Sequence, residues 1–293
     1  MGDRNLVHIP AVETHLVTSR IVTQTFKIEV MQPARTRGDA TRFPVVYVTD
    51  GNFTFDALKG ISYCMQSSRH DVAQFILVGI SYPSDCPEAG AVLRGRDMSF
   101  PGYPTQSTVP PPIEGVLVAP AGTKDQFGGE EFQQFLAEEL IPFVDRNYPT
   151  IAGERSYFGH SLGASFGLST LFTRSELFRG YIISSPGLSI HGETSAGIHC
   201  DNYDFLIREA RQFIASEKSL RDTKVYISVG TEEEFEPGIQ AWQLTSSFYR
   251  MAAVLKAANI PGLSVTTEAF SGETHMTVWP LAFIHGVQMV LGK

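Results

Sequence analysis

A short apolar run that turns through a glycine-flanked serine into a second apolar run constrains this chain more than any other feature. The chain reads Ser-Tyr-Phe at 156–158, Gly-His-Ser-Leu-Gly at 159–163, and then a helix-like stretch to residue 172. Glycines on both sides leave room where a strand folds back onto the helix that it feeds, so Ser161 can occupy a strained turn with its hydroxyl exposed. The pattern predicts a catalytic serine, although Gly-x-Ser-x-Gly also occurs in ordinary surface loops.

Apolar runs and helix-like segments alternate through the rest of the chain. Two runs with alternating polarity, at 14–19 and 23–30, predict an antiparallel edge hairpin. Continuous apolar runs, typical of strands buried on both faces, lie at 43–48, 75–80, 180–185 and 224–230, and a further strand is predicted at 263–270. Helices are predicted at 53–67, from Gly129 onward, and at 203–216, 240–258 and 278–291. The alternation predicts an α/β fold with roughly eight mostly parallel strands and helices on both faces.

No change in composition divides the 293 residues, and α/β folds of this length often form one unit, so we expect a single domain over 1–293. Two polar segments interrupt the alternation, at about 83–127 and 186–202. The first includes three consecutive prolines and is too long for an ordinary connection. Because such segments commonly cover or line a site, both are predicted to line the functional site.

Charge and cysteine content exclude several classes of function. The 23 basic and 31 acidic residues give a net charge of −8, which argues against a nucleic acid or an anionic membrane as partner. The three cysteines form no Cys-x-x-Cys pair, so neither a disulfide framework nor a zinc site is indicated. No apolar run is long enough to cross a bilayer and no apolar signal segment begins the chain, so the cytoplasm is the expected compartment.

A serine on a strand–turn–helix is typical of the α/β-hydrolases, in which the acid and then the histidine follow on loops at the carboxyl ends of later strands. Of the eight histidines, only His275 lies in a loop directly after a late predicted strand. His191 and His199 precede the strand that should carry the acid, and His285 falls within the last predicted helix. We therefore predict that His275 is the general base.

The acid is expected after the strand that ends at Gly230, where the chain reads Thr-Glu-Glu-Glu-Phe-Glu at 231–236. A run of charges is usually a solvated surface, and only one carboxylate can turn inward to hold the imidazole in its productive tautomer. Glu233, three residues beyond the glycine, is the preferred candidate. Glu232 and Glu236 remain alternatives.

A tetrahedral oxyanion needs two aimed donors. The first predicted donor is the N–H of Leu162, directly after the serine. The second is predicted in the Asp-Gly-Asn sequence at 50–52, where Gly51 allows the backbone to approach the substrate and Asn52 supplies the N–H. Taken alone, this sequence would be read as an ordinary turn.

Five sequence blocks, in this order, resemble the esterase branch of the α/β-hydrolases. The blocks are Tyr-Val-Thr-Asp-Gly-Asn at 47–52, Arg-Gly-Arg-Asp-Met-Ser-Phe-Pro at 94–101, Gly-Gly at 128–129 before 135–145, Gly-His-Ser-Leu-Gly at 159–163 and Gly-Glu-Thr-His at 272–275. The branch includes trilactone siderophore esterases, S-formylglutathione hydrolases, feruloyl esterases and mycolyltransferases, and the chain is most similar to the siderophore-esterase group. The resemblance extends from about residue 13 to the end and implies an α/β-hydrolase fold. Ala164, where many members have glycine, and the long proline-rich segment at 102–123 depart from the pattern.

The predicted function is a serine esterase that acts on a small-molecule ester through an acyl-enzyme on Ser161 and needs neither a metal nor an organic cofactor. Acyl transfer at the same site is the first alternative, and a non-catalytic binding protein of the same fold is the second. A homo-oligomer is possible. Further possible substrate contacts are Gly51, His160, Arg96, Phe100 and Tyr103. For Arg96, a local ion pair with Asp97 is the preferred interpretation.

Overall fold

The computed structural model describes residues 11–33, 41–67, 72–83, 87–101, 127–193, 199–216 and 219–292. The first strands are β1 (Val12–Thr18) and β2 (Thr25–Met31), which pair antiparallel, as the alternating polarity predicted. Alternate residues of β2 are buried, among them Phe26, Ile28 and Val30. β2 therefore has one face toward the core, whereas β1 lies at the edge of the sheet.

The next elements are β3 (Phe43–Val48), α1 (Gly51–Ser67), β4 (Ile76–Ser81) and α2 (Pro87–Asp97). Every residue of β3 and β4 is buried, which matches their continuous apolar sequences. Helix α2 lies within the segment interpreted as an irregular insert. It begins at a proline, which the first turn of a helix tolerates.

A long helical segment follows, made of α3 (Gly129–Phe135), a π-helical turn (Leu136–Leu140) and α4 (Ile141–Asn147). A proline within an α-helix removes one hydrogen bond and crowds the carbonyl four residues earlier. Pro142 follows directly after the π-helical turn, whose wider winding gives the proline ring space. The chain then continues through β5 (Thr150–His160), α5 (Leu162–Thr173) and β6 (Gly180–Ser184).

The last part of the chain contains one small hairpin and two more strands of the main sheet. Its elements are β7 (Ile190–Glu193), β8 (His199–Tyr203), α6 (Phe205–Ala215), β9 (Thr223–Gly230), α7 (Leu244–Ala258), β10 (Leu263–Phe270) and α8 (Val278–Leu291). Short 3-10 turns lie at Thr231–Glu234 and Gln240–Trp242. Strands β7 and β8 pair with each other, within the second segment that was predicted as an insert.

The eight-stranded sheet has the order β1-β2-β4-β3-β5-β6-β9-β10, and all pairs from β4 to β10 are parallel. Helices α1 and α8 pack on one face around an apolar cluster that includes Phe55, Phe158 and Phe283. The larger cluster on the other face includes Phe132, Phe166 and residues of α6 and α7. The predicted fold class is confirmed: a mostly parallel eight-stranded sheet with helices on both faces.

Parallel pairing brings the carboxyl ends of the central strands to one edge of the sheet, which is where open α/β sheets place their sites. β3, β5, β6, β9 and β10 all end at this edge, and the loops after them carry the residues considered below. Among the described residues, no helix has the length and apolar character needed to cross a membrane.

Candidate active site

Ser161 lies between β5 and α5 with φ of 58° and ψ of −123°, a backbone conformation that residues with a side chain rarely adopt. A β-carbon on Gly159 would lie 2.3 Å from the carbonyl oxygen of Gly163, and one on Gly163 would lie 2.7 Å from the Thr49 hydroxyl oxygen. Both positions therefore require glycine, because a side chain would clash with the atoms that lie so close to the α-carbon. The turn holds Ser161 at the beginning of α5, half-buried at the carboxyl edge of the sheet.

We expect Gly159→Ala to destabilise the protein by about 1–3 kcal/mol, since the added methyl group would meet backbone atoms that cannot turn aside. Gly60→Ala is the matched control, because Gly60 is a helical residue of α1 with open space around its α-carbon. The control should be neutral or up to about 1 kcal/mol more stable. Urea unfolding measures both values, and equal stabilities of the two variants would contradict the packing argument.

Hydrogen bonds tie this turn to the end of β3. The buried Tyr157 hydroxyl donates to the Gly163 carbonyl at 2.7 Å and lies 2.9 Å from the Thr49 hydroxyl, which must donate because the single phenolic proton is already used. The backbone N–H of Thr49 bonds to the Phe158 carbonyl at 3.3 Å. The loop that contains Gly51 and Asn52 is therefore fixed beside the serine turn.

The backbone of that loop leaves two N–H groups free in the described structure. Asp50 has φ of 58°, and its carbonyl accepts hydrogen bonds from the N–H groups of Phe53 and Thr54. Gly51 and Asn52, the first two residues of α1, have no backbone acceptor among the described residues. Their N–H groups and that of Leu162 at the start of α5 are available to donate hydrogen bonds at this edge of the sheet.

The side chain of Asn52 holds the same loop against the end of β4. Its amide nitrogen donates to the Tyr82 carbonyl at 2.7 Å, and its amide oxygen accepts from the Tyr82 N–H at 2.6 Å. The sequence pattern pointed to the backbone of Asn52 and did not indicate this side-chain role. Asparagine suits the position because one amide can satisfy a donor and an acceptor together.

The arginines of the 94–101 block are engaged within the protein. Arg94 forms a two-point ion pair with Asp50, with distances of 2.5 and 3.0 Å. Arg96 bonds to the fully buried Asp97 at 2.7 Å and also contacts Gln24. Arg96 therefore forms the local ion pair that the sequence favoured, and it is not available to a substrate anion in this conformation.

His275 lies in the loop after β10, and its Nδ1 atom is 2.7 Å from Oε2 of Glu233. Glu233 is completely buried in the 3-10 turn after β9, and its Oε1 atom accepts from the Ser185 hydroxyl and the Gly230 N–H, each at 2.6 Å. Nε2 of His275 has no hydrogen-bond partner in the described part of the chain. A bond from the serine hydroxyl to such an atom often tightens only when substrate binds.

The neighbouring carboxylates have other contacts. Glu236 accepts a hydrogen bond from the backbone N–H of His275 at 2.8 Å, and Glu234 accepts from the backbone N–H of Ser246 at 3.0 Å. Glu232 is exposed. Of the four glutamates in this segment, Glu233 is the one whose carboxylate contacts the imidazole of His275.

His160 packs against His275, the candidate base. It is 6% exposed, its Nδ1 atom is 3.1 Å from the Ser184 hydroxyl, and its ring centroid is 4.5 Å from that of His275. Burial lowers the pKa of His160 well below its ordinary value, and His275 and Arg94 act in the same direction. The buried, neutral imidazole of His160 packs against His275 and Ser184. It therefore leaves little surface for a direct contact with substrate.

The lowered pKa of His160 has a consequence for stability. The unfolded chain takes up a proton on this histidine near pH 6.5, whereas the folded chain resists protonation, so stability should fall as the pH drops below about 6.5. The maximum slope for one such group is about 1.4 kcal/mol per pH unit. Urea unfolding of the wild type and His160→Gln at pH 7.5 and 5.5 measures this contribution, including its coupling to the neighbouring His275, because groups distant from residue 160 contribute equally in both proteins. A stability difference that stays the same at both pH values would show that His160 does not remain neutral.

The three remaining expected contacts are Phe100, Tyr103 and Gly51. Phe100 is 6% exposed and stacks on Phe166 at 5.8 Å, so it belongs to the core and does not form a pocket wall. Tyr103 lies outside the described residues, as do most of the 83–127 segment and part of the 186–202 segment. Gly51 is buried against Ser81, where a β-carbon would meet the hydroxyl at 2.3 Å.

Two serines at the end of β6 link the turn that contains Ser161 to the buried carboxylate of Glu233. Neither was identified from the sequence. The Ser184 carbonyl accepts the N–H of Ser161 at 2.9 Å, and the Ser185 hydroxyl bonds to Glu233. β6 lies between the strand that carries the serine and the strand that carries the acid. A pair of small polar residues at the carboxyl end of a buried strand was the available signal.

A serine turn between a buried parallel strand and a helix, followed by a carboxylate and a histidine on later strand ends, defines an α/β-hydrolase. Residues 118–289, more than half of the chain, match the family described as "Putative esterase", and the protein belongs to this family.

Two relatives and one solved structure extend this comparison. The chain is 27% identical to the ferri-bacillibactin esterase BesA of Bacillus subtilis, over 99% of this chain and 93% of that protein. It is 28% identical to the siderophore triacetylfusarinine C esterase of Aspergillus fumigatus, over 84% of this chain and 80% of that protein. The siderophore hydrolase EstA from Aspergillus nidulans shares the fold, with a TM-score of 0.76 and 21% identity over 95% of this chain and 93% of EstA. The protein is a carboxylic ester hydrolase, which confirms the reaction class predicted from the sequence.

Proposed function

We propose that the protein hydrolyses its ester through an acyl-enzyme on Ser161. The Ser161 hydroxyl oxygen bonds to the ester carbonyl carbon while its proton passes to Nε2 of His275. The N–H groups of Leu162 and Asn52 stabilise the oxyanion. The tetrahedral intermediate expels the alkoxide, which takes the proton from His275. Water, activated by the same histidine, then releases the acid and restores the serine.

The observation that carries this proposal is the contact between His275 and a fully buried carboxylate. The three hydrogen bonds to Glu233, from His275, Ser185 and Gly230, fix the carboxylate in one orientation. A carboxylate held in this way keeps the proton of the imidazole on Nδ1 and leaves Nε2 as the acceptor. It also stabilises the imidazolium that forms during the reaction. No cofactor is needed for these steps.

For the substrate, we propose an ester of the siderophore class, a small molecule that carries several ester bonds. Support comes from the names of the relatives, an esterase of ferri-bacillibactin and one of triacetylfusarinine C, and from the high coverage of the first. Hydrolysis rather than acyl transfer is the reaction that these names support. The cytoplasmic location and a homo-oligomeric state remain predictions from the sequence.

A fluorophosphonate reaction followed by intact mass measurement tests the proposed mechanism. We expect one adduct per chain in the wild type, located at Ser161 by peptide mapping, and none in Ser161→Ala. The substrate proposal is tested separately by chromatography of a triester siderophore after incubation, with and without iron, in the presence of a competing alcohol. Stepwise release of free acids supports hydrolysis, whereas ester products of the added alcohol would favour acyl transfer. A wild type that is not labelled would contradict the proposed mechanism.

A further inference from the structure

Two large apolar side chains are exposed directly beside the proposed catalytic groups. Phe53, the residue after Asn52, is 52% exposed, and Met276, the residue after His275, is 51% exposed. Single exposed apolar residues are common on protein surfaces and need no explanation. These two differ because each is adjacent in sequence to a group that would act on the ester carbonyl.

A third apolar side chain contacts Phe53 and follows Met276 closely in the sequence. Trp279 lies in the first turn of α8, three residues after Met276, and is only 7% exposed. The rings of Phe53 and Trp279 have centroids 5.6 Å apart and are inclined by 59°. The first turns of α1 and α8 therefore meet through an aromatic contact in which Trp279 is buried and Phe53 is exposed, and Met276 is exposed in the turn that leads into α8. We call these three residues the apolar rim.

We propose that the apolar rim binds a planar apolar group of the ester while its carbonyl is over Ser161. This inference rests on the proposed function, since it places the group next to the oxyanion donors and the base. Aromatic rings provide large apolar area with little conformational freedom to lose, and the flexible thioether of methionine packs favourably against ring edges. Ligand sites commonly combine such side chains with a few polar groups, as here with the catalytic residues.

The charges near the rim favour an uncharged group. Glu232, Glu236 and Glu273 lie in the two loops that surround His275, and the Glu232 N–H bonds to the Glu273 carbonyl. None of these three carboxylates forms an ion pair with a basic side chain in the described parts of the chain. Arg94 and Arg96 are paired with Asp50 and Asp97. A carboxylate on the substrate would therefore meet like charge at this side of the site.

The test compares Phe53→Ser with Leu16→Ser, a matched control on edge strand β1 that is 69% exposed and far from the site in the sheet order. The substrates are ethyl acetate, ethyl benzoate, its 4-carboxy derivative and 2-naphthyl acetate, so that an aromatic group is absent, lies on the acyl side or lies on the alcohol side. In Phe53→Ser, we expect the ratio of kcat/KM for the preferred aromatic ester to that for ethyl acetate to fall about tenfold through KM. This corresponds to about 1.4 kcal/mol. The ratio should be unchanged in Leu16→Ser, and the wild type should disfavour the 4-carboxy ester.

Three results would overturn the inference. An equal loss on every ester would mean that Phe53 acts only through the oxyanion loop. An unchanged ratio in Phe53→Ser would mean that the rim does not contact substrate. A wild type that sediments as a dimer and a Phe53→Ser variant that sediments as a monomer with unchanged ratios would assign the rim to contacts between copies. Fluorophosphonate labelling separates this outcome from failure of the proposed function, because a labelled wild type retains its serine chemistry in all three cases.

Discussion

Ser161→Ala should lower kcat for ester hydrolysis by about 10⁶-fold while leaving the fold intact, the scale that removal of a serine nucleophile has in other hydrolases. The substitution removes the oxygen that would form the acyl-enzyme, and a methyl group fits the space of the hydroxymethyl group. The strained backbone at φ of 58° is tolerated no worse by alanine than by serine. Residual activity would come from the oxyanion donors and substrate binding alone.

The measurement is the kcat for p-nitrophenyl acetate with protein purified free of background esterase, together with a thermal unfolding curve. Ser67→Ala is a suitable control, because Ser67 is an exposed residue at the end of α1 whose hydroxyl bonds to the Cys64 carbonyl. Control activity should equal that of the wild type. More than about 1% of wild-type activity in Ser161→Ala would contradict the acyl-enzyme mechanism.

Glu233→Gln is expected to lower kcat by about 10⁴-fold, the effect that the equivalent loss of charge has in a serine protease. The glutamine amide oxygen can accept the bonds from Ser185 and Gly230, which directs its amide nitrogen toward His275. Nδ1 of the imidazole must then accept a hydrogen bond, so the proton resides on Nε2. This tautomer cannot take the proton of Ser161.

The control for Glu233→Gln is Glu232→Gln, which removes an exposed carboxylate from the same turn. Its kcat should stay within a few-fold of the wild type. Structural integrity is checked by thermal unfolding, and the tautomer by the nitrogen chemical shifts of His275. A larger loss in Glu232→Gln than in Glu233→Gln would mean that Glu232, and not Glu233, is the acid.

Local sequence patterns were sufficient to predict most of the fold. Continuous apolar runs predicted β3, β4, β6 and β9 because both faces of these strands are covered by helices, which leaves no position for alternating polarity. The proline-rich surroundings concealed α2, since the polar sequence of this helix has little apolar periodicity. The hairpin of β7 and β8 was also missed, because short strands in a polar, glycine-containing segment have no distinctive pattern.

The candidate site was predictable where the residues follow strand ends and unpredictable where they meet through the sheet order. The order of serine, acid and histidine along the chain selected His275 and the acidic segment 231–236, and it left Glu233 as the preferred residue beside Glu232 and Glu236. The contact of Glu233 with the imidazole is a tertiary feature. The pairing of Arg94 with Asp50 requires that α2 pack near the end of β3, which no local pattern encodes. Phe100 was interpreted as a pocket residue because its sequence neighbours are irregular, whereas its stacking on Phe166 is a tertiary contact.

The position of β10 at the end of the sheet has a consequence for how the protein loses activity. Among the described strands, β10 pairs only with β9, and most of its residues are half-buried. Terminal strands separate from a sheet with less free energy than central strands, so local opening is expected to begin at this side. Because the loop with His275 follows β10 directly, such fraying would disconnect the imidazole from Glu233 while the central strands remain paired. Activity would then be lost when only this edge of the sheet has opened. Mild denaturing conditions should therefore inactivate the enzyme well before its core unfolds.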